Sequence, residues 1–131
     1  HEVIVRSPDG DFSVLAAEPR FIGANGIELR GEHLYVGGKR LWCVSLADGT
    51  VRTIGPEWLG DIDGIEFEED GTLQITPVAG PLYRYRSNDD IEVISGDGVS
   101  SANHGFAPRL GLALIPTGFD NTVIGIRIPD E

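Results

Sequence analysis

The sequence predicts an all-β protein assembled from a repeated four-stranded antiparallel unit, and three observations predict it. Leu34-Tyr35-Val36 recurs in type 39 residues later as Leu73-Gln74-Ile75, and 39 later again as Leu112-Ala113-Leu114. Glycine is abundant, 18 of 131 residues beside 8 prolines, which is the turn chemistry of many short strands. Alternation in Tyr83-Arg84-Tyr85-Arg86 and Ile91-Glu92-Val93 has the period two of half-buried strands, and no useful 3.6-residue period competes with it. A repeat of about 40 residues with four strands is the signature of a β-propeller blade.

The units follow in order. Residues 1–17 hold two strands of an incomplete blade, Glu2 to Arg6 and Asp11 to Ala16 around an Asp9-Gly10 turn that lies 39 residues before Asp48-Gly49. Residues 18–56 form a blade: Asn25-Gly26-Ile27, Leu34-Tyr35-Val36, Arg40 to Val44, and Val51 to Ile54 after the Asp48-Gly49 turn. Residues 57–96 form the next, from Asp63-Gly64-Ile65 through Leu73-Gln74-Ile75 and Leu82 to Tyr85 to Ile91-Glu92-Val93-Ile94. Residues 97–131 form an incomplete last blade with Asn103-His104-Gly105-Phe106, Leu112 and Thr122 to Ile126. The expected strands number two, four, four and three, thirteen in all. The span from Gly111 to Pro116 is apolar on both faces and is expected between two neighbouring blades. A closed propeller needs about four to eight blades. The chain therefore reads as a segment of about three blades, about half of a propeller, completed either by a second chain (a homodimer or a second half-propeller) or by the rest of a longer protein.

Composition narrows the function. Hydrophobic residues at 40% and charged residues at 24% suit a soluble globular protein. A net charge of −11 repels nucleic acid and anionic membranes, so neither is expected as a partner. A single cysteine, Cys43 in Leu41-Trp42-Cys43-Val44, excludes an internal disulfide and a zinc cluster and reads as a small core residue. No nucleophile elbow, phosphate-binding glycine loop, membrane-spanning run or signal peptide is visible. The chain begins at His1 and contains no Met, which reads as a processed or cut N-terminus. The compartment expected is the cytoplasm, with the periplasm or secretion left open.

Asn25, Asp63 and Asn103 stand at equivalent positions, at the start of the innermost strand of successive units. Innermost strands surround a propeller's channel, so these side chains converge on its mouth. One carboxylate with amide carbonyls makes an oxygen-rich site for Ca²⁺, Mg²⁺ or Mn²⁺. His104 beside Asn103 would bind substrate or carry protons near neutral pH. Each has a plainer reading: Asn-Gly and Asp-Gly also make turns, and Asx side chains bond their own backbone. Asp61 reads as a group supporting Asp63, and Glu66, Glu68, Glu69 and Asp70 as a solvated strand face and hairpin tip. Trp42 suits inter-blade packing, and Trp58 loop cover or the roof of a pocket.

Asn25-Gly26-Ile27 before Leu34-Tyr35-Val36, Asp63-Gly64-Ile65 before Asp70-Gly71-Thr72-Leu73, and Ile115-Pro116-Thr117 with Asp120-Asn121-Thr122-Val123 resemble the C-terminal half of the senescence marker protein/gluconolactonase (regucalcin-like) family. That resemblance implies a six-bladed propeller and a hydrolase of small lactones or esters that depends on a divalent metal (Ca, Mg, Mn or Zn). It implies Asn25 and Asp63 as metal ligands and Asp63 as catalytic base; Asn103 and His104, read from their positions in the repeat, would face a lactone-like substrate. The family's glutamate ligand belongs to a blade that this sequence does not contain. Two alternatives stand beside this reading: a non-catalytic propeller platform for ligand or protein binding, and a strictosidine synthase-like propeller.

Overall fold

The computed structural model describes residues 1–95, 103–117 and 120–129; the expected boundary at 96/97 lies outside them. The described residues form thirteen strands in sheets of two, four, four and three. Strands β1 (Glu2–Arg6) and β2 (Phe12–Ala17) make the first sheet. The second holds β3 (Ile27–Arg30), β4 (His33–Val36), β5 (Leu41–Ser45) and β6 (Val51–Ile54), and the third β7 (Ile62–Phe67), β8 (Leu73–Pro77), β9 (Tyr83–Ser87) and β10 (Asp90–Val93). The fourth holds β11 (Gly105–Ala107), β12 (Leu112–Thr117) and β13 (Thr122–Arg127). All pairings are antiparallel between sequence neighbours, the meander of a propeller blade. No helix among the described residues is long and apolar enough to cross a membrane.

The hydrophobic core is divided among the gaps between sheets. Ala16, Phe21, Val36, Trp42 and Val44 fill the first gap, where Phe21 meets Trp42 edge-on at 5.1 Å. Leu41, Leu59, Ile62, Ile65, Leu73 and Ile75 fill the second, and Leu82, Ala113, Ile115 and Ile128 the third. β5 shows why such strands read as continuous apolar runs. Trp42 and Val44 face one neighbouring sheet, Leu41 faces the other, and burial on both sides leaves no polar face. Cys43 is buried in the same strand, with Arg52 Nη2 donating to its Sγ at 3.6 Å.

β12 departs from the expectation of two covered faces. Ala113, Ile115 and Thr117 are buried, while Leu114 and Pro116 are exposed, because no sheet among the described residues packs on that second face. Exposed apolar side chains also mark the first sheet, Phe12 at 72% and Ile4 at 57%, and β13, Val123 at 68%.

The innermost strands β3, β7 and β11 are neighbours in space, which makes the sheets radiate from a common edge. Two ties fix their spacing. Ile62 N–H donates to the Gly38 carbonyl at 2.8 Å. The Arg30 guanidinium lies 4.7 Å from the Phe67 ring centre and donates to the Glu68 and Glu69 carbonyls.

Candidate functional site

The ladders establish which positions are equivalent. Ile27 pairs with Val36, Ile65 with Ile75 and Gly105 with Leu114, and those partners are 39 residues apart. Two residues before each inner partner stand Asn25, Asp63 and Asn103; one residue before stand Gly26, Gly64 and His104; one residue after stand Glu28, Glu66 and Phe106. Asn25, Asp63 and Asn103, with Gly26 and His104 of the second set, enclose a pocket of about 220 Å³ together with Ile27, Glu28, Ile65 and Glu66. All four sequence-predicted residues, Asn25, Asp63, Asn103 and His104, line this one pocket.

Asp63 owes its place to an irregularity in the ladder. Ile62 pairs with Pro77 and Gly64 with Thr76, so Asp63 is an extra residue with no partner across β8. Such a bulge re-aims one side chain without breaking the strand. A related two-against-one arrangement holds Asn25: its N–H donates to the Gly37 carbonyl at 2.9 Å, while Gly37 N–H donates to the Gly26 carbonyl at 2.8 Å.

The paired glycines have a spatial role. A Cβ on Gly26 would fall on the Asp63 carbonyl oxygen, and one on Gly64 would fall on Thr76 Oγ1 and 2.5 Å from His104 Nδ1. Neither glycine has a positive φ, unlike Gly10, Gly49 and Gly71 of the hairpin Asp-Gly pairs. Adjacent inner strands therefore touch through backbone, and a side chain at either position would push the pocket wall apart.

His104 is 5% exposed and Thr76 is fully buried, and Nδ1 lies 2.9 Å from Thr76 Oγ1. Its Nε2 has no hydrogen-bond partner among the described residues. Burial holds the imidazole pKa down at about 4, so the ring is neutral at physiological pH. Proton carriage near neutral pH, the role the sequence suggested, does not fit that burial. Asn103 accepts the His104 backbone N–H on Oδ1 at 2.9 Å and so orders the strand entry.

The pocket has one sign of chemistry. Asp63, Glu28 and Glu66 line it with two amides, and no Lys or Arg joins them among the described residues. Burial, and then the nearby Glu28, raises the pKa of Glu66. Sequence reasoning missed Glu28 and placed Glu66 on a solvated face. The signal available was their shared position one residue after the repeat's aligned isoleucines.

Asp61 is drawn away from the pocket by Lys39 Nζ at 2.6 Å, an exposed pair. Glu68 turns to Arg84, and Asp70 accepts from Thr72 N–H and Oγ1 at the hairpin, so the acidic run is no cation cluster. Trp58 is 60% exposed and stands edge-on to Tyr83 at 5.7 Å, away from the pocket lining.

The donor set suits a hard cation: carboxylate and amide oxygens, with no thiolate at hand. Among the described residues, however, no three His, Cys, Asp or Glu side chains gather closely enough to hold a metal ion. The fit is to a cation held by few protein ligands and completed by water or substrate oxygens.

This is a partial β-propeller with a polar pocket on its inner strands. The chain is similar to the extracellular domain of a proposed one-component system from B. thetaiotaomicron, with a TM-score of 0.66 and 14% identity over 98% of this chain and 22% of that one. It is also similar to virginiamycin B lyase from Staphylococcus aureus, with a TM-score of 0.55 and 14% identity over 86% of this chain and 44% of that one. The chain thus spans less than half the length of either structure, and the likeness is one of fold. No protein-family model matches the sequence. No curated protein matches it either.

Proposed function

We propose that the inner-strand pocket is the site of a hydrolase-type propeller that binds a hard divalent cation and a small lactone or ester. The observation that carries this reading is the convergence of Asn25, Asp63, Asn103 and His104, from three successive sheets, on one pocket of about 220 Å³. Asp63 and Asn25 would hold the cation through oxygen. A divalent cation bound there supplies Lewis acidity toward a carbonyl. Asp63, which lines the pocket, would take the proton of an attacking water. Asn103 and His104 would contact the substrate. The resemblance to the gluconolactonase family supports Asn25 and Asp63 in these roles. The remaining wall would come from further blades, in a second copy of this chain or in another polypeptide.

Calorimetric titration with Ca²⁺, Mn²⁺ and Zn²⁺ tests the cation, followed by hydrolysis assays on a panel of small lactones and esters. Binding that disappears in Asp63→Ala, with turnover that needs the metal, is the expected result. The absence of both in a folded protein would overturn the reading. It would favour a non-catalytic platform.

A further inference from the structure

We propose that Thr76 is a positioning residue for this pocket: its hydroxyl oxygen accepts the Nδ1–H of His104, which fixes the ring's tautomer, with a bare Nε2, and its place in the pocket wall. The inference rests on the reading of the pocket as a ligand site, and it names what kind of ligand fits.

Thr76 sits opposite Gly64 across the β7–β8 ladder. Because Gly64 has no side chain, the His104 ring from the next sheet lies over it and reaches Thr76 Oγ1 at 2.9 Å. The contact is peculiar to this pair of sheets. The position of Thr76 is taken by Gly37 in the preceding unit and Ile115 in the following one, 39 residues away on either side. The position of His104 is taken by Gly26 and Gly64. A contact needed only to join blades would recur with the repeat, and this one does not.

The tautomer follows from the surroundings. Thr76 Oγ1 satisfies one ring nitrogen, and the other has no partner among the described residues. A buried N–H without an acceptor is rarer and more costly than an acceptor without a donor. The proton therefore belongs on Nδ1, shared with Thr76, and Nε2 is bare. Asp63, Glu28, Glu66 and the amide oxygens add further acceptors to the same pocket. A ligand that fits must bring the donors: a neutral polyhydroxylated molecule, or a cation. An anion is repelled.

The test uses protein labelled with ¹⁵N-histidine, without metal, at neutral pH, with His104→Gln to assign the resonances. We expect a pyrrole-type Nδ1 and a pyridine-type Nε2 for His104. Thr76→Ser should keep that pattern. Thr76→Val, and independently Gly64→Ala, which wedges the two side chains apart, should turn it into a tautomer mixture. Sorbitol should perturb the His104 ring resonances, and acetate should not. A pyrrole-type Nε2, a pattern unchanged in both Thr76→Val and Gly64→Ala, or ring resonances that respond to acetate and not to sorbitol would overturn the proposal. None of these signals depends on turnover. A failure of cation binding or hydrolysis would therefore sink the hydrolase reading alone.

Discussion

Arg84 grips the Glu68 carboxylate at both oxygens, Nε to Oε1 and Nη2 to Oε2, each at 2.7 Å. The arginine side chain is 4% exposed and the carboxylate 11%, and Gln74 Nε2 adds a third donor to Oε1 at 3.2 Å. Removing Glu68 leaves the largely buried Arg84 guanidinium with the more distant Glu92 carboxylate at 3.4 Å. Glu68→Ala should lower unfolding free energy by about 3–5 kcal/mol. The double replacement Glu68→Leu with Arg84→Met should recover most of that loss, because the pair's own net contribution is small once desolvation is counted. Urea denaturation of both variants measures the difference.

The contact glycines predict a contrast between chemically identical changes. A methyl group at Gly64 meets Thr76 and His104, whereas one at Gly105 meets nothing within 4 Å. Gly64→Ala should cost about 1–3 kcal/mol by overpacking, and Gly105→Ala should be nearly neutral. Thermal midpoints of the two variants compare them directly, and equal midpoints would contradict the close approach.

His104 makes stability depend on acid. Its folded pKa, about 4, lies below the ordinary 6.5, so between those values the unfolded chain takes up a proton that the folded chain refuses. Stability attributable to this residue is full above pH 6.5, falls as the pH drops toward 4, and then levels off. The total is about 3 kcal/mol. His104→Gln should flatten that part of the profile. The comparison of wild type and variant at pH 7 and pH 4.5 isolates it from the carboxylates.

Asp63 should separate binding from folding. Its side chain makes no hydrogen bond or ion pair among the described residues, so Asp63→Asn should change stability by no more than about 0.5 kcal/mol. The same substitution should weaken Ca²⁺ or Mn²⁺ binding at least about tenfold, or about 1.4 kcal/mol. Parallel denaturation and calorimetry on one preparation give both numbers.

The fold class was legible because spacing survives sequence change. The 39-residue interval places Val36, Ile75 and Leu114 against the inner strands whatever the side chains between. The site was only partly legible, because one dipeptide serves two physical ends. Asp9-Gly10, Asp48-Gly49 and Asp70-Gly71 are hairpin turns with positive φ at glycine. Asp63-Gly64 is a strand interior, where a bulge presents the acid and the glycine admits a neighbouring blade. Nothing local to the two letters distinguishes them. Thr76 was invisible for a similar reason. In Leu73-Gln74-Ile75-Thr76 it reads as a β-branched core residue, and its hydroxyl gains meaning only when a histidine from 28 residues away arrives beside it.

The ladder also has a consequence for how such a pocket changes over generations. Its wall is tiled from one residue slot per spoke, filled here by asparagine, aspartate and asparagine. A single codon change in that slot redecorates the shared chamber while its sister spokes keep the scaffold intact, whereas the glycine positions beside it have no room for a side chain. New ligand preferences can therefore be sampled one tile at a time.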